Sequence, residues 1–233
     1  MPHPHPSSTL GVRDRPAYPL AEAARLVRVA PATLRSWVVG REYDTSRGPR
    51  HFASLLKPAD RTRVVLSFNN LVEAHVLRSL RTTHGSHIAQ IRTAIRYASR
   101  DLGIDRLLLS RELSTNAGEV FLTHLGQLIN LSKSGQLAMR VMLDGHLRRV
   151  ERDLSGMPLR LLPFVSVEDG NAPALIAIDP AIGFGRPIVS SRGIATSTIV
   201  ERIDAGEEVA AVAADYGVTV EEVTEAVVYE RAA

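Results

Sequence analysis

The sequence predicts an α+β fold, mainly α, on three observations. Leu20, Ala23, Ala24 and Val27 recur at i, i+3, i+4 and i+7, and Leu34, Trp37 and Val38 share one side of a second short helix. Pro31 stands in the first turn of that second helix, where a missing N–H does no harm. Short apolar segments bounded by turn residues then alternate with further helical stripes down to the C-terminus. Two short helices, a tight turn, and small or cationic residues on the outer side of the second helix describe a helix-turn-helix. The predicted order is an N-terminal winged helix-turn-helix, a small β-hairpin/helix middle section and a C-terminal trihelical HTH-like domain. The expected boundaries are a flexible arm over 1–16, a DNA-binding domain over 17–106, the middle section over 107–165, a linker over 166–173 and an acidic partner-binding domain over 174–233.

On the second helix the outward residues are Ala32, Arg35, Ser36 and Val39. Small outward residues let such a helix sink into a major groove. Arg35 reaches a guanine edge or a phosphate there, and Thr33 and Ser36 reach phosphates. Ordinary helical hairpins share this periodicity, so the pattern by itself also suits a plain core element.

Downstream lies Gly40–His51, with the turn signal Gly48-Pro49 flanked by Arg47, Arg50 and His51. This suits the tip of a wing resting on the sugar-phosphate backbone, with Val64–Leu66 as the return strand, and Arg41 is a further DNA candidate. Ser67 reads as the N-cap of a helix through about Thr82 with Leu71, Val72, Val76 and Leu80 inward. Gly85 ends it, and Ser86 caps another helix with Ile88, Ile91 and Ile95 as its stripe. His75, His84 and His87 suit capping or surface roles better than metal ligation.

In the middle section, Glu119–Thr123 and Gln127–Leu131 read as the two strands of a hairpin turning at His124-Leu125-Gly126. Ser134 would cap a helix Gly135–Leu154 with Leu137, Val141, Leu147, Val150 and Leu154 buried, and Met157–Val165 would be a strand. In the last unit Ala174–Ile178 reads as a strand, and Val209, Val212, Ala213 and Tyr216 form a helical stripe. Thr219 with Glu222 is a capping box for a final helix carrying Val223, Ala226 and Val227. Gly183 and Gly185 suggest a phosphate loop, but no third glycine, lysine-serine pair or following helix start supports it. The second helix-turn-helix outline presents Glu221, Glu222 and Glu225, which phosphate would repel.

Net charge is +3, but its distribution is lopsided. Residues 1–106 hold 17 Lys+Arg against 8 Asp+Glu, and the remainder holds 11 against 17. A basic half carrying a helix-turn-helix is the footprint of a nucleic-acid binder, and an acidic half must serve something else. Arg13 and Arg15 in the arm are candidates for lying along a phosphate backbone or in a minor groove, while His3 and His5 alternate with prolines in a tail. Cysteine is absent, which removes disulfides and thiolate chemistry. No apolar run approaches the roughly 20 residues that span a bilayer, and the N-terminus lacks an export signal, so a cytoplasmic protein is expected. No cofactor, metal set, nucleophile–base pair or carboxylate dyad stands out, and no enzyme is expected.

The string Ala30-Pro31-Ala32-Thr33-Leu34-Arg35-Ser36-Trp37 resembles the start of the recognition helix in MerR-like winged helix-turn-helix proteins. It departs from them at Ala30, where a serine or threonine cap is usual, and at Ser36, where tyrosine is common. Ile178-Asp179-Pro180, Gly185-Arg186-Pro187, Glu207-Glu208-Val209 and Tyr216-Gly217-Val218 resemble a small bacterial domain of unknown function that occurs in VapB-type antitoxins. Leu66–Leu77 and Gly135–Ala138 resemble longer members that join that domain to a MerR-like head. The resemblance implies an antitoxin of a type II VapBC-like system. It would bind operator double-stranded DNA as a homodimer, with half-sites about one helical turn (~34 Å) or a multiple apart, to repress its own operon. It would also neutralise a VapC-type PIN-domain ribonuclease, whose clustered carboxylates make Arg186 and Arg192 the candidate inhibitory residues. The alternative is a stand-alone MerR-like ligand-responsive repressor with a pocket in 107–165.

Overall fold

Residues 11–45, 48–82, 88–164 and 174–231 are described by the computed structural model. Within them the chain is mixed α/β and mainly helical. The first strand, β1 (Tyr18–Pro19), leads directly into α1 (Leu20–Leu26), which buries Ala23, Ala24 and Leu26. Arg28 takes a left-handed φ of 55° to reverse the chain, and α2 (Pro31–Val38) follows with Pro31 in its first turn. Leu34, Trp37 and Val38 face inward, as their spacing dictates. Truncating a side chain as deep as Trp37 costs about 3–5 kcal/mol.

An antiparallel hairpin comes next, β2 (Arg41–Thr45) against β3 (Gly48–Phe52), with Arg41 opposite Phe52 and Thr45 opposite Gly48. The return strand therefore starts at Gly48-Pro49 itself. Val64–Leu66, expected in that role, instead supplies β4 (Val65–Leu66), which pairs with β1 through Tyr18 and Leu66. The cause is local. Val64 is forced to φ 55° by the reciprocal Asp60–Val65 backbone hydrogen bonds, and this turn aims β4 back at the first strand.

Ser67 caps α3 (Phe68–Thr82) reciprocally: the Asn70 amide donates to Ser67 Oγ and the Ser67 amide donates to Asn70 Oδ1. Leu71, Val72, Val76 and Leu80 are fully buried. The helix α4 (Ile88–Asp101) carries Ile91, Ala94 and Ala98 inward; Gly85, Ser86, His84 and His87 lie outside the described residues.

The middle section corrects the sequence reading most. Glu119–Leu131 is no hairpin but mostly helix, α5 (Asn116–Leu128), followed by α6 (Lys133–Leu147). Gly126, which suggested the turn, and Gly118 are both there for close packing. A Cβ on Gly118 would fall 1.9 Å from the Leu113 carbonyl oxygen, and one on Gly126 would fall 2.8 Å from the Gln136 side chain. The N-cap of α6 is Ser132 rather than Ser134, and the helix stops at Leu147 because Val150 is taken into a strand. Its buried residues are Met139, Leu143, His146 and Leu147, whereas Leu137, Val141 and Leu154 are exposed.

One antiparallel sheet closes the fold in the order β5 (Val150–Arg152), β6 (Pro158–Leu161), β7 (Ile176–Ile178), β8 (Pro187–Val189) and β9 (Ile194–Ala195). Leu161 on β6 pairs with Ile178 on β7, so this sheet runs across the expected linker, whose residues 166–173 lie outside the described ones. Three helices follow: α7 (Thr196–Asp204), α8 (Val209–Tyr216) and α9 (Val220–Arg231). The main apolar core joins residues from Tyr18 to Tyr229, and Leu162, Ala177 and Ile188 form a smaller second cluster. Among the described residues, no helix is long and apolar enough to cross a membrane.

His75 is neither a cap nor a surface residue. It is buried between α3 and α6, where its Nε2 lies 3.1 Å from the His146 carbonyl oxygen. Its ring stacks on Phe164 at 5.6 Å and meets the His146 ring at 4.8 Å.

Candidate functional site

Two regions of the surface stand out. The first is built by α2 and the β2–β3 hairpin. Because Leu34, Trp37 and Val38 point into the core, Ala32, Arg35 and Val39 are left open to solvent. The Arg35 side chain forms no hydrogen bond or ion pair among the described residues. Thr33 is half-buried, and the Ser36 hydroxyl donates to the Thr33 carbonyl at 2.7 Å, so its one proton is already placed. The turn before α2 offers no side-chain cap: Ala30 has no polar atom to give.

Beside α2, Arg41 is exposed and its guanidinium lies 5.5 Å from the centre of the Phe52 ring. His51 is exposed on β3, Arg50 stands opposite Tyr43 in the same ladder, and Arg47 lies outside the described residues. Two cations that sequence reasoning missed join this area from the neighbouring helices. Arg92 of α4 lies 5.1 Å from the centre of the same Phe52 ring and donates to the Ala53 carbonyl, and Arg81 of α3 lies 5.9 Å over Trp37. Their helical positions carried no signal of where they would land.

The arm is less free than expected from Gly11 onward. Arg13 pairs with Asp153 at 2.7 Å, and its carbonyl accepts from the Asn69 amide. The Ser155 hydroxyl and Arg13 together hold the Asp153 carboxyl down at about 2. Asp14 takes Asn69 and Arg106, and Arg106 also reaches Glu73 at 3.0 Å.

The second region is the loop between β7 and β8. Gly183, Phe184 and Gly185 all take left-handed backbone angles, with φ of 57°, 57° and 75°. Phe184 pays strain of about 1–2 kcal/mol for this, yet its ring is 95% exposed. The loop is held from beneath. Asp179 Oδ1 accepts from the Ala181 amide at 2.8 Å while its other oxygen takes Arg160 at 3.1 Å. The buried Tyr18 hydroxyl donates to the Gly185 carbonyl at 2.9 Å, and a Cβ on Gly185 would sit 2.1 Å from that hydroxyl.

Arg186, next to this turn, is exposed and its guanidinium has no partner among the described residues. Arg192 is different: its Nε donates to the Gly217 carbonyl at 3.1 Å and so closes the C-terminal end of α8. Of the three glutamates read as one face, Glu222 is buried in its capping box with Thr219, while Glu221 is exposed and Glu225 half-buried. Phe184 escaped the sequence reading because a Phe between two glycines looked like a rejected phosphate loop.

The two regions belong to one body. Arg25 of α1 pairs with Glu230 at 2.8 Å, and Arg28 donates to the Tyr229 carbonyl at 2.7 Å while covering its ring at 4.8 Å. Thus α9 occupies the α1 side of the N-terminal helices and leaves the outer side of α2 clear. The cleft of about 680 Å³ near α3 and α4 is lined by Asn70, Glu73, Arg96 and Arg106 among others. Its central groups satisfy one another, since Glu73 accepts from both Asn70 and Arg106.

With this geometry in view, the comparisons with known proteins fall into place. Residues 176–229 match the family described as "Protein of unknown function (DUF433)". That span runs from β7 to the last turns of α9 and includes the Phe184 loop. A Mycobacterium tuberculosis protein named "Putative antitoxin VapB45" is 28% identical, the match covering 91% of this chain and 93% of that one. A second protein of the same organism, "Uncharacterized protein Rv2308", is 25% identical over 96% of this chain and 94% of its own. The crystal structure of Rv2018, again from Mycobacterium tuberculosis, superposes with a TM-score of 0.66 at 22% identity, covering 91% of this chain and 97% of that one. This last likeness extends the fold comparison far beyond the DUF433 segment.

Proposed function

We propose that this chain is the antitoxin of a type II VapBC-like toxin–antitoxin system. In this reading α1, α2 and the hairpin form a MerR-like winged helix-turn-helix that binds operator DNA and represses its own operon. Arg35 addresses a guanine edge or a phosphate from the outer side of α2. Arg41, Arg47, Arg50 and His51 of the hairpin lie along the sugar-phosphate backbone, and Thr33 plays a minor part. The observation that carries the DNA reading is the open outer face of α2, with an unpaired Arg35, on a chain whose α1 face is already covered.

The antitoxin assignment is supported by the name of the relative that matches this chain nearly end to end. The toxin-facing element is the loop Ile182–Arg186. A rigid aromatic held out by a strained turn, with a free guanidinium beside it, suits a partner having an apolar pocket rimmed by carboxylates. Arg186 would neutralise the metal-binding carboxylates of a PIN-domain ribonuclease, with Phe184 as its anchor. Arg192 serves the α8 terminus instead.

The deciding experiment has two arms on the full chain. Fluorescence anisotropy with the promoter fragment upstream of its own reading frame, across a salt series, reads DNA binding. Co-expression with the product of the adjacent reading frame, followed by an RNA cleavage assay, reads inhibition. Loss of binding in Arg35→Ala and loss of inhibition in Phe184→Ala support the two halves separately. Unchanged behaviour in either variant removes that half.

A further inference from the structure

The helix α6 has two apolar sides, and the fold of a single chain covers one of them. Met139, Leu143, His146 and Leu147 are buried against α3 and α5. On the outer side Leu137, Ala138, Val141 and Met142 recur at i, i+1, i+4 and i+5, which makes a continuous stripe over two turns. Leu137 and Val141 are each 65% exposed and Met142 38%. A helix facing only water carries polar residues on such a side. The stripe is also smooth: Ala138 lies within it, and the space around Gly145, one turn further on, is open.

Its charges are arranged so that a copy of itself is the complementary surface. Lys133 stands exposed at the N-terminal end, and Asp144, half-buried beside Arg140, stands near the C-terminal end. We propose that this face is the self-association surface of the protein, with α6 packed against α6 of a second copy, antiparallel, about a two-fold axis between Leu137 and Val141.

In that arrangement each Leu137 meets Val141 of the second copy, so both exposed residues are covered twice. Lys133 comes level with Gly145 of the second copy and beside its Asp144, a pairing the axis repeats. A parallel arrangement would set Lys133 against Lys133 and Arg140 against Arg140, and it would also align the helix dipoles unfavourably. Charge therefore selects the antiparallel form. This inference rests on the α6 stripe alone and stands whether or not the chain binds DNA.

The experiment is sedimentation of the full chain without DNA or toxin. A dimer at micromolar concentration is expected, and Leu137→Glu or Val141→Glu should raise its dissociation constant at least tenfold. Both residues are exposed in the single chain, so circular dichroism and the unfolding midpoint of the dissociated monomer should stay unchanged. Lys133→Glu and Asp144→Lys should each weaken association, and the two together in one protein should restore it.

Register is read by cross-linking, which is clean because the chain has no cysteine. Leu137→Cys mixed with Val141→Cys should form the interchain disulfide faster than either variant alone. A monomer at every concentration, a dimer indifferent to Leu137→Glu, or faster homotypic cross-linking would each overturn the proposal.

Discussion

The Tyr18 hydroxyl donates to the Gly185 carbonyl oxygen across 167 positions of chain, at 2.9 Å and out of contact with water. Burial first, then the nearby Glu22 and Asp179 carboxylates, push the Tyr18 phenol well above its usual range, so it serves only as a neutral donor. One atom of the first strand thus fixes the turn that displays Phe184.

Removing that hydroxyl tests the clamp. Tyr18→Phe leaves the ring in place and strands the Gly185 carbonyl, which should cost about 1–2 kcal/mol in urea unfolding. Gly185→Ala should cost more, because its Cβ collides with the hydroxyl and the backbone at φ 75° disfavours a side chain. Equal stability of Tyr18→Phe and wild type would show the bond to be idle.

Phe184 should behave as a residue kept for binding at the expense of stability. Phe184→Gly relieves the left-handed strain of a side chain that buries almost nothing. Thermal unfolding should show it unchanged or stabilised by up to about 1 kcal/mol. The same variant should lose inhibition of the co-expressed ribonuclease. Destabilisation with inhibition intact would assign the ring a structural task.

DNA binding should separate Arg35 from Ser36. Arg35→Ala should weaken binding and, if the contact is to phosphate, reduce the slope of log K against log salt by about 1. Ser36→Ala should leave affinity within about twofold, because its proton already goes to the Thr33 carbonyl. Anisotropy titrations over a salt series check both, and the reverse ranking would place the interface elsewhere.

Acid should unfold the protein through its buried histidines. Burial first, then Arg78 and Arg149, holds His146 at about 4 against an ordinary 6.5, and burial followed by His146 pushes His75 well below 6.5. Both rings are neutral when folded and take protons on unfolding, so stability is lost as pH falls from 6.5 towards 4. His146 by itself should remove on the order of 2 kcal/mol by pH 5. Urea midpoints from pH 7.5 to 5 read this, and His146→Gln should flatten the curve.

What the sequence revealed follows from the range of the forces involved. The stripes of α1 and α2, the Ser67 cap and the Thr219–Glu222 capping box are all local, decided within four residues, and they were legible. So was the turn-rich stretch that became β2 and β3. The partner of β4 was not, since Leu66 meets Tyr18 only through the turn that Val64 creates. In α5, Gly126 looked like a turn residue because nothing local tells of Gln136 pressing on it. In α6 the stripe at Leu137 and Val141 was recognised as apolar and wrongly placed inside this chain. Nothing near Arg192, a candidate inhibitory residue, tells that its Nε donates to a carbonyl 25 positions away. Phe184 needed backbone angles to be noticed at all.

The first helix of the chain is packed under its last, through Arg25 with Glu230 and Arg28 with Tyr229. A ribosome has therefore to release the residues through Glu230 before α1 acquires its full set of neighbours. A cut that lets α9 leave would strip Arg25 and Arg28 of those partners, so damage to the later helix is felt at once by the earlier one.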